Sequence, residues 1–412
     1  MREPALSEME EEKRLRHDWK LFTAVTFLFA FGLAIYIGDF QNFLRDRLGS
    51  DPLMLGGLES LREIPGLLAA LLAGTLVALA ETRIAALGLF VASIGIGLSG
   101  SMPTYTLLVG ITIFWSVGFH TYYPASSAIT LALAKGREAG RHLGRMTSVS
   151  KIATVAALAA AWALAKGMGV IGYKSVHGHA PGQVYQVSFM TAGLSIGMAA
   201  ICCLFLSHRA ATQGPRSRLI IRREYSLYYL LTFLDGCRRQ IFSIFASFAL
   251  VLVYRVPLTE MLLIQLVNAL IIMLFAPSIG RLMDRHGERG PLTFYSIGLI
   301  VIFLGYATMR TVGALVALFL IDNLLFSFSV GFTTYLHRIV RKNELTPCLS
   351  MGVTMNHIAA VTVPVGGAWL WQYYGNYQIP FWVGVAVAVI SLIATRWLPT
   401  GSRGGGVYRA AE

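Results

Sequence analysis

The chain has 412 residues, 55% of them hydrophobic and 13% charged, and its mean hydropathy is +0.62. Soluble domains carry roughly 25% charged residues, so this composition excludes a water-soluble globule. With 41 glycines, common where membrane helices pack closely, it specifies an all-α polytopic membrane protein. The four cysteines, Cys202, Cys203, Cys237 and Cys348, have neither a Cys-x-x-Cys nor a Cys/His spacing, so no metal centre, cofactor or disulfide framework is expected.

Residues 1–19 read as a charged cytoplasmic tail, with no short apolar region and cleavage site behind them. A spanning helix needs about 20 mainly apolar residues. Twelve such runs follow: 20–44, 53–79, 83–102, 104–133, 144–167, 183–206, 225–253, 258–280, 290–309, 311–336, 349–372 and 377–397. The longest break, 207–224, is a basic linker between an N-terminal half (20–206) and a C-terminal half (225–398), and 399–412 is a second tail. With the N-terminus inside, inner segments hold 24 Lys and Arg and outer loops hold 6. That bias puts both termini in the cytoplasm and accounts for the net charge of +13 without nucleic acid.

The halves repeat one another. SVGFHTYY at 116–123 on the fourth run returns as SVGFTTYL at 329–336 on the tenth, and Gly144 and Trp162 of the fifth match Gly352 and Trp369 of the eleventh. A duplicated six-helix unit in parallel orientation follows.

Between runs 8 and 9 stands GRLMDRHGER, 280–289. It resembles the loop motif G-x-L-x-D-R-x-G-x-R of the major facilitator superfamily at Gly280, Leu282, Asp284, Arg285, Gly287 and Arg289. The matching loop of the first half keeps Gly74, Leu76 and Arg83 but has Ala78 where the acid belongs. The resemblance spans about 380 residues, from the first run to the twelfth. It implies alternating access, a cavity lined by helices 1, 4, 7 and 10, and an inner gating latch formed by the 280–289 loop.

Charges inside hydrocarbon cost roughly 2.5–3.5 kcal/mol each and mark pathways or pairs. Run 2 holds Glu59, Arg62 and Glu63, and run 7 holds Asp235, Arg238 and Arg239, both at i, i+3, i+4 on one helical face. Each trio leaves one charge unbalanced, −1 on run 2 and +1 on run 7. Such a surplus serves a gate, a structural pin between the two trios, or a substrate. Further candidates are Asp322 and Asn323 on run 10, His120 and Tyr122 on run 4, Lys151 on run 5, and Asn356 and His357 on run 11. Asp39 is expected to be solvated at the outer end of run 1, and Trp19, Trp371 and Trp397 to sit in interfacial belts.

No G-x-x-x-x-G-K-[ST] segment is present, so ATP is not the direct energy source. The G-P-x-x-G-G core of resembling antiporters is missing from 144–167, with Pro364, Gly366 and Gly367 a near miss in the other half. The expectation is therefore a secondary transporter in the cytoplasmic (inner) membrane, not an enzyme. It is expected to be monomeric in the lipid bilayer, to take a small anionic or zwitterionic solute and to use a proton as coupling ion in symport. Basic residues in the helices favour the anion, since Arg grips a carboxylate with two parallel bonds. The alternatives are an exporter of amphipathic, drug-like compounds and a non-transporting sensor or assembly factor on the same fold.

Overall fold

The computed structural model describes residues 3–68, 80–134, 139–171, 179–207, 222–341 and 344–399. Gly74, Leu76 and Ala78 of the first-half loop, linker residues 208–221 and the tail from 400 onward lie outside them. Among the described residues there are twelve helices: α1 Glu3–Leu48, α2 Pro52–Leu67, α3 Glu81–Ser99, α4 Tyr105–Leu133, α5 Ala139–Val170 and α6 Gly182–Leu204, then α7, α8 Leu258–His286, α9 Arg289–Thr308, α10, α11 Leu345–Tyr374 and α12 Ile379–Thr395. Helix α7 is α-helical over Ser226–Gln240, π-helical over Ile241–Ala246 and α-helical again over Ser247–Leu252. Helix α10 is α-helical over Val312–Leu325, tightens to 3-10 over Phe326–Ser329 and resumes over Val330–Ile339. Eight of the described helices are long and apolar enough to cross a membrane.

The segment expected as a tail is helical from Glu3, and α1 has 46 residues, about 69 Å at ~1.5 Å per residue. Its start is rich in the strong helix formers Glu, Lys, Arg and Leu, and Arg16 pairs with Glu12 one turn back at 2.6 Å. A hydrocarbon core is only ~30 Å thick, so α1 is longer than a single crossing needs.

The chain packs as two compact units. Unit 1 comprises Met1–Leu48, Leu68–Gly214 and Pro257–Leu266; unit 2 comprises Gly49–Leu67, Pro215–Val256 and Val267–Glu412. In unit 1, α1 packs on α5 and α6, and α3 on α4 and α6. Its core is aromatic: Tyr36 meets Trp115 at 5.2 Å and Phe189 at 5.0 Å, and Phe43 meets Tyr185 at 5.5 Å. In unit 2, α2 packs on α11, α7 on α11 and α12, and α9 on α10 and α12. Lipid supplies no hydrophobic force between helices, so close approach has to hold them. Gly56 of α2 makes that approach possible, since a Cβ there would collide with the Pro364 carbonyl oxygen of α11. The Val365 N–H, next to Pro364 within α11, is taken up by Ser60 Oγ at 3.1 Å.

Two expectations are corrected. Trp371 is not in a belt: it is 5% exposed and packs against Phe245, Phe248 and Tyr377, because its face of α11 turns toward α7 within unit 2. Asp39 is not solvated: it is 1% exposed, because α1 continues to Leu48 and leaves Asp39 about 13 Å short of its end.

Candidate functional site

The i, i+3 spacing on α7 places Asp235 and Arg238 side by side, and both are buried, at 9% and 2% exposure. Arg238 Nε lies 3.6 Å from Asp235 Oδ1. Its stronger partner is Asp322 of α10: Arg238 Nη1 donates to Asp322 Oδ2 at 2.9 Å and to Oδ1 at 3.2 Å. Arg238 Nε donates to Tyr295 Oη of α9 at 2.7 Å, and the Tyr295 hydroxyl donates to Asp235 Oδ1 at 2.6 Å. Three helices are thus tied by a closed network in which a buried guanidinium finds the paired carboxylates it requires. The Phe326 ring, first residue of the 3-10 stretch, lies 4.8 Å from the Arg238 guanidinium, close enough for a cation–π contact. Arg238 Nη2 is buried with no partner among the described residues.

Arg239, the next residue, behaves differently. It is exposed, it makes no ion pair among the described residues, and its contact is with the Phe326 ring at 5.4 Å. The buried trio of Asp235, Asp322 and Arg238 therefore carries two acids against one base, with a second base exposed beside it. The surplus positive charge that spacing alone assigns to α7 is offset by Asp322. The helix interruptions border this cluster: the π stretch of α7 begins two residues after Arg239, and the 3-10 stretch of α10 begins four after Asp322. Such interruptions recur at functional sites.

The α2 trio forms its own network. Arg62 bonds Glu59 at 2.6 Å and Glu63 at 3.0 Å, and His357 Nδ1 of α11 lies 3.2 Å from Glu63 Oε2. Its surplus acid is met by an imidazole of α11. Arg238 of α7 finds its acid on α10, and among the described residues no α7 side chain pairs with Glu59 or Glu63.

Asn323 turns back to its own helix, donating to the Phe319 carbonyl at 2.8 Å. Asn356 lies against Gly236 of α7. In unit 1, His120 Nδ1 is 3.0 Å from the Ser116 carbonyl oxygen, Tyr122 is buried with its ring 4.4 Å from Phe29, and Lys151 is exposed. In the 280–289 loop, Gly280 and Asp284 fall within α8, and the Asp284 side chain lies outside the described set. Arg285 is exposed and Arg289 opens α9. Gly287 has φ +69°, a left-handed turn between α8 and α9 that favours glycine.

Several polar groups escaped sequence reasoning. Tyr295 is one of several hydroxyls on an otherwise apolar run, next to Ser296. Glu288 sits at an unassigned position of the loop motif, yet it is 7% exposed and accepts from Arg338, in the last turn of α10, at 2.7 Å. Glu344 accepts from Arg222 at 2.6 Å and from the Tyr225 hydroxyl at 2.7 Å. That hydroxyl first, and Arg222 with it, holds the Glu344 carboxyl below its usual range. In unit 1, the Asp46 side chain is buried and accepts from Arg45, the Ala180 N–H and the Tyr185 hydroxyl, with His179 at 3.1 Å.

The family model of the Major Facilitator Superfamily matches residues 22–345. The chain belongs to the major facilitator superfamily. Among solved structures it is similar to a variant of the nucleoside transporter NupG, at 12% identity and TM-score 0.75, over 92% of this chain and 99% of that one. It is also similar to the inward-open xylose transporter XylE from E. coli, at 13% identity and TM-score 0.68, over 95% and 98%. A bacterial homologue of the iron transporter ferroportin, inward-facing, is similar at 15% identity and TM-score 0.71, over 92% and 98%. At these identities the likeness concerns the fold. A comparison with curated proteins gave no match. The chain is thus a multi-pass membrane protein with the fold of this superfamily's transporters.

Proposed function

We propose that this protein is a secondary active transporter that moves a small anionic or zwitterionic solute together with a proton by alternating access. It works as a monomer in the cytoplasmic membrane, both termini inside, the basic linker joining two six-helix halves, and performs no chemical conversion. The observation that carries this reading is the division of roles between adjacent arginines. Arg238 is committed to Asp322, Asp235 and Tyr295. Arg239 is exposed and has no carboxylate partner among the described residues, so its fork is open to a solute carboxylate or phosphate.

The same cluster offers a place for the proton. Two buried acids share one buried base, and Asp235 holds that base less closely, at 3.6 Å against 2.9 Å for Asp322. Asp235 is therefore the proton acceptor in this reading, and a proton there neutralises the trio. The test is a thermal-shift panel of small carboxylates, phosphates and neutral sugars on the purified protein. The reading expects anions to stabilise the wild type and Arg239→Lys to lose most of that shift, since a point charge replaces the fork. Equal shifts from neutral solutes, unchanged in the variant, would overturn it.

One feature favours the second reading, an exporter of amphipathic compounds. A recess of about 510 Å³ in unit 1 is lined by Lys20, Thr23, Phe27, Leu28, Val149 and Ile152 and is almost wholly apolar. Stabilisation by apolar cations in the same panel would support it.

A further inference from the structure

Arg238 and Arg239 are consecutive on α7, and consecutive helical residues point about 100° apart, so nothing in their spacing makes the two side chains meet. Both guanidiniums nevertheless reach one ring. The centre of the Phe326 ring of α10 lies 4.8 Å from the Arg238 guanidinium carbon and 5.4 Å from that of Arg239. Both distances fall inside the ~6 Å range of a cation–π contact. All three residues belong to unit 2.

Helix α10 fixes the ring. Phe326 stands four residues after Asp322, on the same helical face, and its N–H still bonds the Asp322 carbonyl as the 3-10 stretch begins. Two residues on, Phe328 stacks on Tyr295 at 6.4 Å and 13°. The acid that holds Arg238 and the ring that meets both arginines thus share one turn of α10. The two arginines use the ring differently. Arg238 also has Asp322, Tyr295 and Asp235. The exposed Arg239 side chain has the ring and no acid among the described residues.

A long exposed side chain loses rotamer freedom when it grips a solute, and that loss weakens binding. A ring that already holds the guanidinium removes part of the loss. It also accepts no ordinary hydrogen bond, so the N–H fork stays available for a carboxylate or phosphate. We propose that Phe326 is a positioning residue for solute binding: its ring holds the Arg239 guanidinium ready for an anion and ties it to the Arg238–Asp322 pair. The role rests on the reading of Arg239 as the solute site. It requires a π face, which an aliphatic side chain of similar size does not supply.

Two measurements on the full chain test this with wild type, Phe326→Leu and Phe326→Tyr. The first needs no solute. Phenylglyoxal condenses with exposed guanidiniums, and its modification of Arg239 is followed by mass spectrometry. The rate should be severalfold faster in Phe326→Leu, where no ring covers the group, and should stay at the wild-type value in Phe326→Tyr. The second is titration of the thermal shift with inorganic phosphate and with small mono- and dicarboxylates. Phe326→Leu should need roughly 2- to 30-fold more anion for half the shift, the range of one lost cation–π contact, and Phe326→Tyr should recover the wild-type value. A side chain that merely packs would lower the unfolding midpoint of Phe326→Leu and leave both the modification rate and the half-saturating anion concentration unchanged, which would overturn the proposal. Faster modification in Phe326→Leu with no anion shift in wild type would strike the solute site instead and leave the ring's hold on Arg239 standing.

Discussion

Replacing Asp322 by Asn removes one charge from the α7–α9–α10 network with little change of shape. Arg238 would then stay 2% exposed with Asp235 at 3.6 Å as its only acid. Breaking a buried ion pair from one side costs about 3–5 kcal/mol, because the remaining charge stays desolvated. The Tyr295 bond at 2.7 Å and the residual Asp235 contact persist, so the low end, about 3 kcal/mol, applies. Removing both charges in Arg238→Gln/Asp322→Asn eliminates the stranded cation, and the double variant should be more stable than the sum of the singles by about 0.5–3 kcal/mol. Denaturant unfolding in detergent, run as a full double-mutant cycle, measures this. Additivity of the two single variants would refute the claim that Asp322 is the principal partner of Arg238.

Other consequences concern the rim and the topology. Glu344 is held below its usual range in the folded state, so its stabilising contribution is complete above the ordinary carboxylate range and is lost as pH falls through the folded value. Glu344→Gln should flatten this acid limb of a stability–pH curve, and an unchanged limb would contradict the assignment. Gly287→Ala should destabilise by about 1–2 kcal/mol, because φ +69° is left-handed; a thermal unfolding midpoint equal to wild type would argue against that turn. A reporter inserted in 207–224 should read as cytoplasmic and one near Gly178 as external, whereas an external linker would reverse the orientation.

Much of this architecture was readable in the sequence because membrane constraints are strong. Apolar runs of spanning length specify helices, and the paired SVGF segments specify that the halves repeat. The i, i+3 spacing alone put Asp235 and Arg238 on one face, and they meet at 3.6 Å. The partners that close the network were not readable. Asp322 and Tyr295 come from helices 84 and 57 residues beyond Arg238, and no local period encodes which face of α9 or α10 turns toward α7. For the same reason the α2 acid Glu63 could be paired with α7 on paper, while in unit 2 it meets His357. Asp39 was misread because its depth depends on where α1 ends. Helix termini are the weakest part of any reading by hydropathy, since charged residues such as Arg45, Asp46 and Arg47 can extend a helix as readily as end it.

In the proposed cycle an anionic solute and a proton cross together. Proteoliposomes containing the protein and an internal pH dye, challenged with each stabilising carboxylate in turn, report both. Proton entry evoked by the solute is expected in wild type. In Asp235→Asn that proton entry should vanish while exchange of labelled solute across the membrane continues. Solute uptake without proton movement in wild type, or proton-driven uptake at full rate in Asp235→Asn, would contradict it.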